Sequence, residues 1–504
     1  MADRASLARR IAVVAGAAAL VIALGVRSML EVNPQAPRSP NILLIVTDDQ
    51  TLGTWRAMPE VRHDILAHGM RFSQAYDSNP LCCPSRAAIL TGGYSHNTGV
   101  YGNTGGANAG FRAFYTHGDE ARTLATALDP TYDTALFGKY LNGYKMYSER
   151  VLGETYVPPG WDEWQAFFED NAAYYNYQLN VDGQLVRYDD RPASYSTDVI
   201  GQRLRDWLDP TDGVGRDPTQ PFFAYLAAFS PHLPSDASPT FRDAQRFTHV
   251  ALPRSGGFNE ADVSDKPTYI RHLPRLSEHE EIRLHVRWQE QLQSLASYDR
   301  QIGLTLDLLQ AQHELQNTIV IILSDNGVLY GAHRWRSKGV PYQDAVHVPF
   351  AIRADDVLVQ PGVDRTHLVA NVDVFPTVLD LALGQGAPPG VDGRSLRPLL
   401  DGERDPPWRT SVLLEGRWDD RGDQPSVPTY CGIVTDRWKY VVYSPTRDGS
   451  GLVRPGGEDE LYDLRADPSE LDNLAASKPD VVRRLRARLA SLCSPTPPGW
   501  QVPW

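Results

Sequence analysis

The sequence is poor in cysteine and has no excess of positive charge. Four cysteines among 504 residues exclude a scaffold built on disulfide bonds. The 49 lysines and arginines stand against 62 aspartates and glutamates, a formal net charge of −13, which argues against a general basic surface for nucleic acid or another acidic polymer. The sequence contains no internal repeat or low-complexity block. Its composition, 42% hydrophobic and 22% charged, predicts a globular protein with a large domain and a smaller one.

The first 40 residues are typical of a targeting segment. Arg4, Arg9 and Arg10 precede an apolar run at 11–25, which is short for a membrane-spanning helix and suits a signal peptide. Small residues at 23–25 offer only a weak cleavage site, so an uncleaved N-terminal membrane anchor is the alternative. A proline-containing linker leads to residue 40. Both alternatives predict a catalytic part outside the cytoplasm, either secreted or tethered to a membrane.

Two nearly continuous apolar runs, at 41–46 and 318–323, are typical of strands buried on both faces of a parallel sheet. Shorter runs at 134–137 and 222–229 follow the same plan, and helical patterns such as the one at 292–309 lie between them. This alternation predicts an α/β fold with a large mixed or parallel sheet sandwiched by helices. Ligands of such a sheet bind at the carboxyl ends of its strands.

Polar side chains follow directly after these apolar runs. Taken alone, each is more often a cap or a turn residue, but their shared position at strand ends favours a functional site. These residues are Asp48, Asp49, Lys139, His232, Asp325 and Asn326. The carboxylate and amide oxygens among them suit calcium or magnesium rather than zinc. A zinc-dependent phosphatase is disfavoured because its histidine ligands do not cluster in this sequence.

From about residue 384 the composition and the pattern of the sequence change. Proline and glycine become frequent, and the runs at 430–434 and 440–443 predict strands of a small antiparallel sheet. A terminal helix follows, with apolar residues on one face between 482 and 492. The predicted organisation is therefore a catalytic domain at 41–384 and a smaller α+β subdomain at 385–504.

The segment 81–92, Leu-Cys-Cys-Pro-Ser-Arg-Ala-Ala-Ile-Leu-Thr-Gly, has the features of a nucleophile site at a helix start. Pro84 suits a first helical turn, and the glycines at 92 and 93 end the helix. The pattern predicts a helix over 85–90 with Cys82 just ahead of it, where unpaired N–H groups favour an anion. Arg86 adds a positive charge one turn later.

This segment resembles the signature of the type I sulfatases, Cys-x-Pro-Ser-Arg followed by Thr-Gly, in the alkaline phosphatase-like superfamily. The resemblance implies that Cys82, not Cys83, is oxidised to formylglycine by a formylglycine-generating enzyme, and that its hydrate attacks sulfur. It also implies a calcium site, with magnesium less favoured. The implied ligands are Asp48, Asp49, Asp325, Asn326 and the formylglycine oxygen at Cys82. Lys139, His232 and Lys338 match positions that bind the sulfate group and supply protons.

The resemblance has two gaps. Family members often carry a basic residue where this chain has Gly93, and many arylsulfatases have a histidine where this chain has Leu141. We expect His96, just beyond the nucleophile helix, to replace that histidine. His333 and Arg334 are expected to line the substrate side.

Motifs at 138–142 and 159–162, together with the Cys-Cys pair, are similar to the glucosamine-6-sulfatase branch. The expected activity is hydrolysis of a small-molecule or saccharide sulfate ester, either a sulfated amino sugar or an aryl ester. The alternatives are a phosphoester or phosphonate hydrolase on the same scaffold and a catalytically silent carbohydrate-binding relative. If Cys82 and Cys83 belong to the active site, Cys431 and Cys493 are left and could form one disulfide. The oligomeric state stays open.

Overall fold

A computed structural model describes residues 39–504 apart from short gaps at 105, 170–172, 210–214, 240–245, 359, 404–405, 418–424, 448–452, 455–457 and 503. The predicted signal peptide or anchor lies outside the described residues. Within those residues, no helix is both long enough and apolar enough to cross a membrane. Residues Pro40–Trp504 form one unit, so the domain boundary near residue 384 stays a prediction.

The strands are β1 Asn41–Thr47, β2 Met70–Phe72, β3 Ala75–Tyr76, β4 Asp133–Gly138, β5 Glu163–Phe167, β6 Gln178–Val181, β7 Gln184–Arg187, β8 Phe222–Ala227, β9 Thr318–Ser324, β10 Phe350–Arg353, β11 Val363–Arg365, β12 Val369–Ala370, β13 Val412–Gly416, β14 Tyr430–Val434, β15 Trp438–Tyr443, β16 Thr446–Arg447, β17 Val453–Arg454 and β18 Asp459–Asp463.

The helices are α1 Cys82–Thr91, α2 Ser95–Thr98, α3 Gly110–His117, α4 Leu124–Leu128, α5 Tyr144–Tyr147, α6 Ser196–Leu208, α7 Thr268–Arg271, α8 Glu278–Ala311, α9 Gln343–Val346, α10 Val374–Leu383, α11 Arg397–Leu400 and α12 Pro479–Leu492. Short 3₁₀ or π turns lie at Thr54–Ala57, Val61–Leu66, Asp119–Arg122, Ser148–Leu152, Pro192–Ser194, Leu315–Asn317 and Asn371–Asp373.

The largest sheet has ten strands in the order β11-β2-β10-β9-β1-β8-β4-β5-β6-β7. Strands β9, β1, β8, β4 and β5 are mutually parallel, while β10, β6 and β7 add antiparallel neighbours. Alternate residues of β1 pack into two different hydrophobic clusters, which shows that this strand is buried on both faces. The predicted mixed α/β sheet is confirmed.

Helices cover the two faces of this sheet. The 34-residue helix α8 packs its apolar side into one cluster, together with α6. Helices α1 and α10 pack into the other. A capping box between Ser277 and Glu280 fixes the start of α8. The helical pattern predicted at 292–309 is confirmed as the C-terminal half of α8.

Helix α1 differs from its predicted bounds at one end. It begins at Cys82, directly after the extended Leu81, rather than at Ser85. Cys82 is therefore the first residue of the helix instead of the residue ahead of it. The predicted end is confirmed, because Gly92 adopts the left-handed conformation (φ 71°) that ends helices. All ten residues of α1 are buried, so the helix is a fixed support for the residues at its start.

The C-terminal part contains the small antiparallel sheet β13-β14-β15-β18, against which α12 packs. Both strands predicted here are present, as β14 and β15, and the terminal helix is α12. The structure joins Cys431 on β14 to Cys493 at the end of α12, with their Cα atoms 6.4 Å apart. In the chain-entropy description, a link across this 62-residue separation stabilises the fold by about 4 kcal/mol.

This pairing gives a direct prediction for thiol labelling. When the protein is denatured without a reductant, a thiol reagent should miss both Cys431 and Cys493, because neither carries a free thiol. After reduction, both should be labelled. Peptide mass spectrometry of the two samples makes the comparison, and Cys83 serves as the internal control that labels in both. Labelling of Cys431 or Cys493 before reduction would contradict the pairing.

Candidate active site

Four neighbouring parallel strands end at one edge of the ten-stranded sheet, and each is followed by polar residues. The register of β1 with β9 places Thr47 beside Ser324, and that of β4 with β8 places Gly138 beside Ala227. The residues that follow these strands therefore lie close together. They are Asp48 and Asp49 after β1, Asp325 and Asn326 after β9, Lys139 after β4 and His232 beyond β8.

Cys82 lies in the middle of this group. Its Sγ is 2.8 Å from Nζ of Lys338 and 3.6 Å from Oδ1 of Asp48. The side chain is 1% exposed. Burial raises the pKa of the Cys82 thiol to about 11, despite the nearby lysines. The sulfur is consequently a protonated thiol at neutral pH and not a thiolate nucleophile.

Arg86, one turn into α1, joins the nucleophile helix to the strand ends. Its Nε donates to Oδ2 of Asp325 at 2.8 Å, and one terminal nitrogen donates to the carbonyl oxygen of Lys139 at 2.9 Å. The other terminal nitrogen lies 3.7 Å from Oδ2 of Asp48. Burial alone would lower the pKa of Arg86, but the nearby groups Asp325, Tyr225, Asp48 and Cys82 together outweigh it and raise the pKa. Arg86 is thus a permanently charged, fully buried cation.

Asp49 is held in an unusual backbone conformation. Its φ of 70° lies in the left-handed region, which aspartate tolerates better than most residues. Its backbone N–H donates to Oδ1 of Asp325 at 3.1 Å, and its carbonyl accepts from Nε2 of Gln291 at 3.0 Å. Its carboxylate accepts from Asn326 and Lys338. These contacts fix the direction of the Asp49 carboxylate.

The donor set fits a hard divalent cation. Ligand atoms of Asp48, Asp49, Cys82 and His232 all lie within 4.8 Å of one another. Beside them, the amide oxygen of Asn326 is buried without a hydrogen-bond partner among the described residues. Such an oxygen costs free energy unless a donor or a cation approaches it. A crowded set of carboxylate and amide oxygens is the environment that Ca²⁺ or Mg²⁺ prefers.

His232 connects this group to a cavity. Its Nδ1 lies 2.8 Å from the carbonyl oxygen of Leu233, which orients the ring, and the ring stacks on Phe229 at 4.6 Å between centroids. The other nitrogen, Nε2, is 3.6 Å from Oδ2 of Asp49. His232, Asp49 and Lys338 border a cavity of about 170 Å³. The cavity therefore lies beside the Cys82 group, with Lys338 in contact with both.

The sequence model of the Sulfatase family matches residues 40–384. The chain belongs to the sulfatase family. This sulfatase is therefore a sulfuric ester hydrolase, as its sequence signature predicts. A second family model, described as N-sulphoglucosamine sulphohydrolase, C-terminal, matches residues 331–494.

Two curated relatives of this sulfatase carry the same name. It is 32% identical to N-acetylglucosamine-6-sulfatase of Capra hircus over 492 residues, which covers 92% of this chain and 85% of the relative. It is also 32% identical to N-acetylglucosamine-6-sulfatase of Homo sapiens over 491 residues, covering 92% of this chain and 86% of the relative. The predicted resemblance to this branch is confirmed.

Solved structures share the fold of this sulfatase. BT4656, in complex with its substrate D-glucosamine-2-N,6-O-disulfate, aligns with a TM-score of 0.71 at 23% identity, covering 90% of this chain and 98% of the other. The phosphonate monoester hydrolase of Agrobacterium radiobacter aligns with a TM-score of 0.66 at 21% identity, covering 90% and 95%. At these identities the likeness establishes the fold alone.

The structure places His96 away from the Cys82 group. Its Nδ1 lies 2.8 Å from Oε1 of Glu415, and it borders a separate cavity of about 410 Å³ with Trp408 and Arg409. The physical reason is the partner of its ring: the Glu415 carboxylate holds the His96 imidazole toward this second cavity, although the preceding residue Ser95 accepts a hydrogen bond from Asn79 near the start of α1. The expectation that His96 replaces the histidine missing at Leu141 is therefore not supported by its position.

His333 and Arg334 do not face the cavity in this sulfatase. His333 is 2% exposed; its Nδ1 lies 2.6 Å from Oε2 of Glu260, and its ring stacks on Tyr342. Arg334 donates its guanidinium to three backbone carbonyls and so secures a loop. Both residues have positive φ values, 50° and 63°, which turn this segment inward. The contacts of His333 and Arg334 thus hold a loop in place, and neither residue borders the cavity that His232 and Lys338 line.

Helix α8 supplies residues to the site that the sequence did not single out. Arg287 and Gln291 border the cavity next to Lys338, from one face of α8. The signal available in the sequence was two polar residues, four apart, along the otherwise apolar side of a long helix. That pattern alone does not tell a residue facing a cleft from one facing solvent.

Proposed function

We propose that this sulfatase hydrolyses the 6-O-sulfate ester of a glucosamine derivative, with a formylglycine made from Cys82 as its nucleophile and Ca²⁺ as its metal ion. The observation that carries this proposal is the position of Cys82, buried at the start of α1 among the cations and acids of four strand ends. The substrate class is supported by relatives named N-acetylglucosamine-6-sulfatase. An aryl sulfate ester is the alternative substrate.

The chemistry of residue 82 supports modification. A buried thiol with a pKa of about 11 is a weak nucleophile at neutral pH. Its oxidation to formylglycine requires a formylglycine-generating enzyme as maturation partner. The hydrate of the formylglycine supplies a hydroxyl group for attack on sulfur. Cys83 packs into the hydrophobic core instead, which leaves Cys82 as the residue to be modified.

The ligands that would hold Ca²⁺ are Asp48, Asp49, Asp325, Asn326 and the oxygen of the modified residue 82. When bound, the ion supplies positive charge that polarises a sulfate oxygen and lowers the pKa of the nucleophilic hydroxyl. We favour Ca²⁺ over Mg²⁺ because a crowded set of oxygen ligands suits the larger ion, which accepts more ligands and less regular geometry.

Three buried cations accompany the acids. Lys139 and Lys338 contact Asp48 and Asp49, and Arg86 contacts Asp325. Since three positive charges already balance three carboxylates, a divalent ion gives the site a net positive charge that favours an anionic ester. Lys338 contacts the nucleophile position and would stabilise charge on the sulfate oxygens during transfer.

The leaving alcohol needs a proton. His232 and Lys338 are the two candidates, since both border the cavity in which the alcohol would lie. After transfer, a second proton must leave the hydrate so that the aldehyde can form again. Among the described residues, His232 is the histidine that the structure brings to Cys82, and we assign this proton acceptance to it in place of His96.

We also propose that the protein acts outside the cytoplasm, secreted or tethered by its N-terminal segment. Two further relatives are named as extracellular sulfatases. The Caenorhabditis elegans protein is 32% identical over 81% of this chain and 55% of its own length. The Drosophila melanogaster protein is 32% identical over 73% of this chain and 32% of its own length.

A rate comparison tests the proposed function. Protein co-produced with a formylglycine-generating enzyme should release sulfate from N-acetylglucosamine 6-sulfate. Its kcat/KM for 4-nitrophenyl sulfate should exceed that for 4-nitrophenyl phosphate, because the matching family model and the relatives that support the proposal are sulfatases. A higher value for the phosphate ester would instead identify a phosphoester or phosphonate hydrolase. Absence of turnover on all three compounds would contradict the proposed function and favour the silent carbohydrate-binding alternative.

A further inference from the structure

We infer that Arg287 binds a second sulfate group on the same sugar ring as the scissile ester, so that the enzyme prefers a disulfated over a monosulfated amino sugar. This inference rests on the proposed function. It concerns the cavity between α8 and the segment 328–338, which the catalytic assignments do not explain.

The cavity is continuous with the catalytic group. It is bordered on one side by Asp49, His232 and Lys338 and on the other by Arg287 and Gln291 of α8. The reacting ester must lie against the first side, because Lys338 contacts Cys82 there at 2.8 Å. The alcohol part of the substrate therefore extends toward α8.

The size of the cavity limits what can occupy it. Its volume of about 170 Å³ is below the range of roughly 300 to 1,000 Å³ found for drug-sized ligands. The cavity is therefore too small for an oligosaccharide. We take the group that reaches Arg287 to belong to the same ring as the reacting ester.

Among the described residues that border this cavity, Arg287 is the arginine or lysine without an ion-pair partner. Lys338 is paired with Asp49, and Arg336 is paired with Glu280 at 2.6 Å. Among the described residues, Arg287 forms no ion pair within 4.0 Å, although its charge acts on nearby Glu290. An arginine presents a planar set of donors that matches the oxygens of a sulfate group.

Gln291 provides a second, independent sign of a ligand. Its side chain is 1% exposed, and its Nε2 donates to the Asp49 carbonyl. Its Oε1 is buried and has no hydrogen-bond partner among the described residues. A buried acceptor of this kind calls for a donor, and a hydroxyl or amide N–H of an amino sugar supplies one. Arg287 and Gln291 lie four residues apart on one face of α8. Together they would bind a ligand that carries both an anionic group and a hydrogen-bond donor.

The test compares two substrates and two variants. The substrates are D-glucosamine-2-N,6-O-disulfate and N-acetylglucosamine 6-sulfate, which carry a sulfate and an acetyl group, respectively, on the same nitrogen. The Arg287→Gln variant removes the unpaired charge. Arg283→Gln is the matched control, because Arg283 is an exposed arginine of the same helix outside the cavity. Release of 6-O-sulfate is followed as kcat/KM for each pair, at matched thermal stability of the proteins.

We expect Arg287→Gln to lower kcat/KM for the disulfated sugar by about tenfold or more, which is the range for losing a hydrogen-bonded charge contact. Its effect on the monosulfated sugar should be small, and Arg283→Gln should change neither. Equal losses on both sugars, or no loss on either, would overturn the inference. A third sugar, glucosamine 3,6-disulfate, carries its second sulfate at another ring position. Comparing the effect of Arg287→Gln on the two disulfated sugars shows which position Arg287 binds. If the wild-type protein releases no sulfate from any sugar, the proposed function itself has failed.

Discussion

Replacing Cys82 with alanine is expected to lower sulfate release by at least about a thousandfold, because removal of a covalent nucleophile leaves only binding and electrostatic contributions. The fold should persist, since alanine is the residue that helices tolerate best and α1 is buried along its whole length. The measurement is the initial rate of sulfate release by purified variant and wild-type protein with equal thermal midpoints.

Cys83→Ala is the control for this change. Cys83 is also buried in the first turn of α1, but it packs into the hydrophobic core and its backbone N–H donates to Asn103 at 2.9 Å. This variant should keep most of the activity. In wild-type protein, the mass of the tryptic peptide 72–86 should show an aldehyde or its hydrate at Cys82 and a thiol at Cys83. Two thiols in fully active protein would falsify the nucleophile assignment.

The second large effect is expected at Asp325. Changing it to asparagine should remove bound calcium and sulfate release together, because a negatively charged ligand is lost. It should also destabilise the protein by about 3 to 5 kcal/mol, the cost of leaving the buried Arg86 without its acid. Metal content by mass spectrometry, kcat of the folded protein and the thermal midpoint are the three readouts.

Asp373→Asn separates the metal effect from the stability effect. Asp373 is buried and paired with Arg409, outside the Cys82 group. Its loss should lower the thermal midpoint by a similar amount but leave calcium content and kcat of the folded protein unchanged. If Asp325→Asn behaves like this control and keeps its calcium, Asp325 is not a metal ligand.

Much of the fold follows from short apolar runs. The strands β1 and β9 were predictable because a strand buried on both faces needs apolar residues at almost every position, and an acid follows each of them. The short strands β6 and β7, at one end of the sheet, were not, because partly exposed antiparallel strands carry weak patterns. The sequence pattern predicts the start of α1 three residues later than the structure has it, because Pro84 fits more than one position of a first helical turn.

The candidate site was predictable where strand order alone brings residues together, as for Asp48 and Asp325. It was not predictable where a residue's location depends on the length and direction of another element. His96 is close to Cys82 in sequence, yet its ring is paired with Glu415 and borders a different cavity. Arg287 is about 200 residues from Cys82 in sequence, yet α8 returns it to the cleft. The spacing of apolar residues shows which face of a helix is buried, but it does not show which element packs against that face.

The register between β1 and β9 restricts where related chains can gain or lose residues. Thr47 lies beside Ser324, and the next residue of each strand is an acid of the site. One inserted or deleted residue within either strand would turn its acid toward the opposite face of the sheet. Segments that connect the elements carry no such constraint. Length differences between active relatives should therefore fall in the connections and never inside these two strands.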